Sequence, residues 1–102
     1  MSTDLTKAII EFALDGDTVQ NFIREELPKY FVSKETAILE IVNMCKNEIV
    51  NLYLFDENVG VNRKLDPLLL THDLISKNKY VFLGTTDKTL AEYSRVTNFV
   101  EG

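Results

Sequence analysis

The chain has 102 residues, of which 45% are apolar and 26% are charged. Those values are typical of one folded domain, and they exclude a disordered chain. Its single cysteine excludes a disulfide scaffold and points to a reducing compartment. No apolar run approaches the ~18 residues of a membrane span, and the start lacks the pattern of a signal peptide. The sequence therefore predicts a soluble, cytoplasmic, single-domain protein spanning residues 1–102.

Charge narrows the choice of partner. Sixteen acidic residues outnumber eleven basic ones, which gives a net charge of −5 at pH 7. Residues 1–51 hold nine acids and five bases, whereas residues 52–102 hold seven acids and six bases. Such a chain repels nucleic acid and anionic membranes and attracts basic partners. The sequence argues against nucleic acid and membrane, and it places the acidic surface mainly in the first half.

Two amphipathic helices are predicted near the start of the chain. The first covers residues 4–14, because apolar residues recur there at helical spacing, and Gly16 ends it in a left-handed turn. The second covers residues 18–27. Asp17 is its predicted N-cap, and Pro28 is predicted to stop it because proline lacks the amide proton.

The third predicted helix has the clearest boundaries. Ser33 can cap its start, where Glu35 lies in a turn that favours negative charge. Asn47 is predicted to close it in the left-handed conformation. Its buried face is predicted to comprise Ala37, Ile38, Ile41, Val42 and Cys45.

The second half is predicted to contain strands that flank a further helix. Residues 49–55 are β-branched and aromatic and indicate a strand, and residues 61–65 indicate a return strand. Asp66 followed by Pro67 is typical of a helix start, and this helix is expected to reach Ile75.

A strand and a helix are predicted to complete the chain. Residues 80–83 form the strand. Thr86 is the predicted cap of the last helix. Its inward-facing residues are predicted to be Leu90, Ala91 and Val96, with Tyr93 as a further candidate.

This order of elements resembles a winged-helix domain. Residues 33–50 resemble the third helix and first wing strand of that family, and residues 80–89 resemble its second wing strand and the Thr-led helix that follows. Glycine is usual in the family where Asn47, Glu48 and Thr89 stand. The resemblance implies an α+β fold with three N-terminal helices, a two- or three-stranded antiparallel sheet with a helix inserted between strands, and a C-terminal helix. A different α+β arrangement is the alternative.

The winged-helix resemblance also raises DNA binding, because the third helix of that family enters the major groove. Here the exposed positions of the helix combine two lysines with Glu35 and Glu40, so the charges cancel. Acidic residues also flank the one adjacent basic pair. A transcriptional regulator is therefore the alternative function, and its DNA contacts would be Lys34, Asn43, Arg63 and Lys64.

The residues needed for catalysis or for metal binding are scarce. His72 is the only histidine, and the adjacent Asp73 points about 100° away from it around a helix. Cys45 falls on a predicted buried face. Asp15-Gly16-Asp17 lacks the later ligands of a calcium loop and is better explained as a turn between helices. The sequence predicts a non-enzymatic protein with no cofactor and no metal.

Binding of another protein remains as the favoured function. In size, acidity and lack of a catalytic set, the chain is similar to small bacterial immunity proteins, which neutralise a cognate toxin. Many such toxins are nucleases and basic, and charge can steer an acidic inhibitor to them. The predicted protein is a monomer or homodimer. Its predicted partner-binding residues are Asp15, Asp17, Glu25, Glu26, Tyr30, Glu40, Asp56 and Glu57.

An adaptor or oligomerisation domain is a third alternative. Its signal is the apolar segment that contains Phe99 and Val100 close to the end of the sequence. These residues either fold back on the core or pair with another chain.

Overall fold

Helices and strands follow the predicted order. The computed structural model describes residues 3–56, 58–77 and 80–101, and the side chains within these ranges except those of residues 3 and 98–101. The predicted roles of Phe99 and Val100 therefore lie outside the described side chains. The α+β fold is confirmed, with three helical segments first, a three-stranded antiparallel sheet, a helix between strands and a C-terminal helix. The elements are α1 (Thr3–Asp15), α2 (Val19–Asn21), α3 (Lys34–Lys46), β1 (Val50–Asp56), β2 (Val61–Lys64), α4 (His72–Lys77), β3 (Val81–Thr85) and α5 (Thr89–Glu101).

The sheet has the strand order β2-β1-β3, and both pairs are antiparallel. Leu52 lies opposite Leu83, and the next pair along is Tyr53 opposite Phe82. Lys64 of β2 also lies opposite Tyr53. Because side chains alternate between the two faces of a strand, the leucine pair lies on the inner face, and the aromatic pair with Lys64 lies on the outer face.

The hydrophobic core lies between the inner face of the sheet and the helices. α1 packs against both β3 and α5, and α3 packs against β1. The rings of Phe12 and Phe22 meet edge to face, with centroids 5.2 Å apart, and join α1 to the following helical segment. The largest fully buried apolar side chains are Leu5, Ile9, Ile10, Val19, Phe22, Ile41, Val50, Leu52, Val81, Leu83 and Val96.

The second helical segment differs from the predicted single helix. Thr18, not Asp17, is the N-cap, because its hydroxyl accepts a hydrogen bond from the Asn21 N–H at 3.0 Å. After α2 the chain widens into a π-helix over Phe22–Glu26 and then tightens into a 3₁₀ helix over Leu27–Lys29. The predicted stop at Pro28 is wrong, because a proline early in a short 3₁₀ turn removes no hydrogen bond that the turn needs.

The end of α3 lies one residue later than predicted. The Ser33 cap is confirmed, with its hydroxyl accepting from the Thr36 N–H at 3.0 Å. Asn47, however, still donates its N–H to the Asn43 carbonyl in helical fashion, and its φ is −87°. The left-handed residue is Glu48, with φ of 62°.

The predicted helix from Pro67 to Ile75 is two shorter pieces. Asp66 does cap the start, but only a 3₁₀ turn over Pro67–Leu69 follows it before α4 begins at His72. Leu70, with ψ of 108°, is extended and buried between them. The extended backbone directs this leucine into the core, at the cost of helix continuity.

The first turn of α5 also differs from the prediction. Leu90 is 66% exposed and Ala91 is exposed, so the prediction that both face inward is wrong. The helix begins at Thr89, three residues after the predicted cap, and buries Thr89 and Val96 instead. Two turns of helix separate these residues, so they lie on one face.

Thr86 and Thr89 form a threonine clasp, by which we mean their two hydroxyls together with the backbone carbonyls of Glu48 and Ile49. Thr86 Oγ1 donates to the Glu48 carbonyl, and Thr89 Oγ1 donates to the Ile49 carbonyl at 2.6 Å. Thr89 Oγ1 also accepts from the Thr86 N–H at 2.7 Å. The clasp therefore joins the α3–β1 corner to the β3–α5 corner.

The clasp predicts a specific loss of stability for Thr89→Val. Valine keeps the shape of threonine but leaves the Thr86 N–H unpaired and deprives the Ile49 carbonyl of its closest donor. We expect the free energy of unfolding to fall by about 2 kcal/mol. Urea unfolding measures it, with Thr85→Val as the matched control. Thr85 is exposed on β3, so its change should stay within about 0.5 kcal/mol. Equal effects of the two substitutions would contradict the importance of the clasp.

Candidate protein-binding surface

The predicted partner-binding residues do not form one surface. Glu25, Glu26 and Tyr30 belong to the helical segment after α2, and Glu40 lies on α3, where it accepts a hydrogen bond from the Thr6 hydroxyl of α1 at 2.7 Å. The remaining acids belong to the α1–α2 connection, to the end of β1 and to the β1–β2 turn. These acids are Asp15, Asp17, Asp56 and Glu57, of which Glu57 lies outside the described residues.

Tyr30 is the centre of the strongest electrostatic interactions among these residues. Its hydroxyl donates to Glu26 Oε2 at 2.7 Å. Burial, together with the charges of Glu26, Glu11 and Asp4, raises the pKa of Tyr30 far above its usual value. We call these four residues the Tyr30 cluster. It brings two acids of α1 to the helical segment that follows α2.

Glu26 is held ionised by its partners. The hydrogen bond from Tyr30 is the main reason that the pKa of Glu26 falls below its usual value, and Lys29, whose Nζ lies 3.0 Å from Glu26 Oε1, lowers it further. On α1, Glu11 accepts a hydrogen bond from the Tyr93 hydroxyl at 3.1 Å. The carboxylates of the Tyr30 cluster are therefore fixed by donors on three different elements.

Phe31 is the most exposed large apolar side chain among the described residues, at 98% exposure. Its φ of 56° is left-handed, a conformation that costs a non-glycine residue about 1 kcal/mol. Val32, which follows it, packs against the core, and Ser33 then caps α3. The chain therefore turns inward on both sides of Phe31 while the ring itself remains in solvent.

Sequence reasoning identified part of this surface. Glu26 and Tyr30 are four residues apart, which is the spacing of neighbours on a helix, and both were predicted. Asp4 and Glu11 were not, because they reach the cluster through the packing of α1. For Phe31 the only available signal was an aromatic residue directly before a helix-capping segment.

Asp17 and Asp56 have local structural roles. Asp17 Oδ1 accepts from the Thr18 N–H at 2.7 Å and from the Asn21 side chain at 2.9 Å, so it supports the start of α2. Asp56 Oδ1 accepts from the Asn58 N–H at 3.0 Å in the β1–β2 turn. Asp56 also lies 3.7 Å from Arg63. Neither carboxylate belongs to the Tyr30 cluster.

The residues of the DNA-binding alternative are dispersed. Lys34 and Asn43 are nine positions apart on α3, which places them about 180° apart around its axis. The apolar side chain of Leu39, 57% exposed, lies on the same outward side of the helix as Asn43. Arg63 and Lys64 are adjacent on β2 and therefore point to opposite faces of the sheet. The four residues do not present one basic surface.

The titratable groups offer little for catalysis. Cys45 is half-buried, and burial raises the pKa of its thiol to about 11, although Lys64 opposes the shift. His72 is exposed at the first residue of α4. No group of three or more metal-ligating side chains occurs within the described ranges. Across the same residues, none of the helices has the length and apolar character needed to cross a bilayer.

Comparison with known proteins adds no relative. No family model, no curated protein and no solved structure matches this chain. The resemblances to winged-helix domains and to immunity proteins therefore stay predictions, and function must be argued from this chain's own surfaces.

A double-mutant cycle tests the pairing of Tyr30 with Glu26. Using Tyr30→Phe and Glu26→Gln, we expect a coupling of about 1 kcal/mol in the free energy of unfolding at pH 7, since one partner is charged but close to solvent. The pKa of Glu26 is lower in the folded state, so the coupling is present above the usual carboxyl value and is lost as the pH falls through the folded pKa. Lys29 remains in every variant. A coupling that persists in strong acid would contradict the assignment.

Alkylation of Cys45 tests its predicted inertness. With a pKa of about 11 instead of 9.0, the thiolate fraction at pH 8 is about a hundredth of the usual one. Iodoacetamide should therefore modify the folded chain about 100-fold more slowly than the chain in denaturant. The single cysteine makes the assay unambiguous. A folded rate within about tenfold of the denatured rate would instead indicate a reactive thiol.

Proposed function

We propose that this chain is a non-enzymatic binding module that holds a basic partner protein against Phe31 and the Tyr30 cluster. The observation that carries the proposal is the 98% exposure of Phe31 beside a group of fixed carboxylates. Aromatic residues surrounded by polar groups are typical of the residues that dominate binding energy in protein interfaces.

The position of Phe31 supports a role in binding over one in folding. An aromatic ring in water contributes no burial to the free chain, and its left-handed backbone costs energy. A partner that covers the ring would recover that burial. Because Val32 and the α3 cap hold the neighbouring backbone, the ring is presented in a fixed place, which reduces the entropy lost on binding.

The charge around Phe31 supports a basic partner. Glu26 and Glu11 accept hydrogen bonds from Tyr30 and Tyr93, which leaves their other carboxylate oxygens for a lysine or arginine of the partner. The net charge of −5 adds long-range attraction. Charge-assisted hydrogen bonds to fixed carboxylates are stronger than neutral ones.

The finer form of the proposal is an inhibitor of a basic toxin, such as a nuclease, acting in the cytoplasm. An acidic module of this size can cover the positively charged surface that such a nuclease uses for its substrate. DNA binding by the chain itself is not favoured, because α3 presents Leu39 and only dispersed basic residues.

A pull-down with matched surface variants tests the proposal. Tagged protein is incubated with extract of its native cells at low salt, and retained proteins and nucleic acid are both measured. We expect a basic protein to be retained by the wild-type chain and by Leu68→Ala, and to be lost with Phe31→Ala. Leu68 is the control, since it is 70% exposed on the 3₁₀ turn far along the chain. Glu11→Gln should weaken retention about tenfold.

Expression of the retained protein separates the coarse proposal from the finer one. Toxicity of that protein alone, relieved by co-expression of the wild-type chain but not of Phe31→Ala, would support the inhibitor. Equal retention by Phe31→Ala and Leu68→Ala would rule out this surface. Recovery of nucleic acid that washes off with salt, with no partner protein, would favour the DNA-binding alternative.

A further inference from the structure

The outer face of the sheet is a second unusual surface. Tyr53 and Phe55 of β1 lie on it with Phe82 of β3, and Tyr80, whose ring centroid is 6.0 Å from that of Phe55, extends it. All four side chains are only half-buried. The helices α1 and α3 pack on the opposite face, where Leu52 and Leu83 are buried. An exposed sheet face with four aromatic rings exceeds what an isolated domain needs.

Tyr53 lies flat across this face because Gly84 lies beneath it. A Cβ at Gly84 would come within 2.5 Å of the Tyr53 ring, so no other residue fits there without moving the ring. The side chain of Asn51 lies 3.5 Å from the Tyr53 hydroxyl at the end of the ring. The face is therefore smooth at its centre, as a surface that packs against another flat surface must be.

A groove of about 400 Å³ crosses the same face. It is lined by Gly16, Tyr53, Phe55, Asn62, Phe82 and Leu83. It therefore runs across the strands, from the α1–α2 connection beside β3 to the edge strand β2. The two ends of the groove carry different charges.

Lys64 marks one end, since it lies opposite Tyr53 on β2. Asp15 and Asp17 flank Gly16 at the other end. Arg24 also approaches that end beside Tyr80 and Phe82, but the Glu25 carboxylate lies 3.8 Å from it and offsets its charge. The aromatic face is thus basic at the β2 edge and acidic at the α1–α2 edge.

We propose that the occupant of this face is a second copy of the chain, bound by a two-fold axis that runs parallel to the strands. Such an axis places the β2 edge of one sheet over the α1–α2 edge of the other, so Lys64 of each copy meets Asp15 and Asp17 of its partner. Sheets pack face to face with nearly aligned strands about 10 Å apart. A two-fold interface needs a self-complementary surface, and the opposite charges at the two edges supply it.

This dimer leaves the Tyr30 cluster and Phe31 outside the interface, because they belong to the helical side of the chain. It does not depend on the proposed function, and purified chain without any partner suffices to test it. An assembled pair would present two copies of the acidic surface.

Sedimentation equilibrium over a range of concentrations tests the dimer. We expect the wild-type chain to approach a mass of about twice 11.7 kDa. Paired replacement of Tyr53 and Phe55 by threonine, which keeps strand propensity, should leave a monomer with an unchanged circular dichroism spectrum. Gly84→Ala should weaken association by lifting the Tyr53 ring.

Charge exchange tests the orientation. Lys64→Glu alone places acid against acid and should raise the dissociation constant about tenfold. Adding Asp15→Lys in the same chain should return the constant to near the wild-type value. Asp15 is chosen because the Asp17 carboxylate supports α2.

Three results would overturn the proposal. One is a wild-type chain that remains monomeric at its highest soluble concentration. Another is a dimer that the two threonine replacements do not weaken. The last is a charge-exchanged chain that associates no more tightly than Lys64→Glu alone.

Discussion

The hydroxyl groups of two threonines determine how the two halves of this fold meet. The threonine clasp holds the carbonyls of Glu48 and Ile49 against the start of α5, immediately beside the point where Val50 pairs with Thr85. Since a one-residue shift between β1 and β3 would move every side chain to the other face of the sheet, the clasp fixes which residues enter the core. The buried inner face and the aromatic outer face both depend on that register.

The acidic surface depends on the same packing at a distance. α1 lies between β3 and α5, so its exposed side faces the helical segment that carries Tyr30. Tyr93 of α5 reaches Glu11 from one direction, and Tyr30 lies within the field of Glu11 and Asp4 from another. Carboxylates are placed by neighbours whose own positions are set by the core. This arrangement makes the surface rigid, and rigidity lowers the entropic cost of binding.

Local patterns in the sequence identified nearly every element, because apolar periodicity and capping residues are local signals. The errors lie where a contact distant in sequence overrides the local preference. Glu48 takes the left-handed turn expected of Asn47, and its carbonyl serves the threonine clasp. Leu70 breaks a helix to enter the core, and Leu90 is exposed because Thr89 is the buried residue.

The π-helical turn at Phe22–Glu26 has a consequence for how the acidic surface could have arisen. There the Leu27 N–H bonds to the Phe22 carbonyl five residues back, so the segment holds one residue more than an uninterrupted α-helix would. Deleting one residue would let the helix close normally but would rotate all that follows by about 100°. Glu26 and Tyr30 would then turn together, away from Asp4 and Glu11. A single inserted codon, accommodated as a bulge, is thus enough to bring an ancestral helix into register with its neighbour.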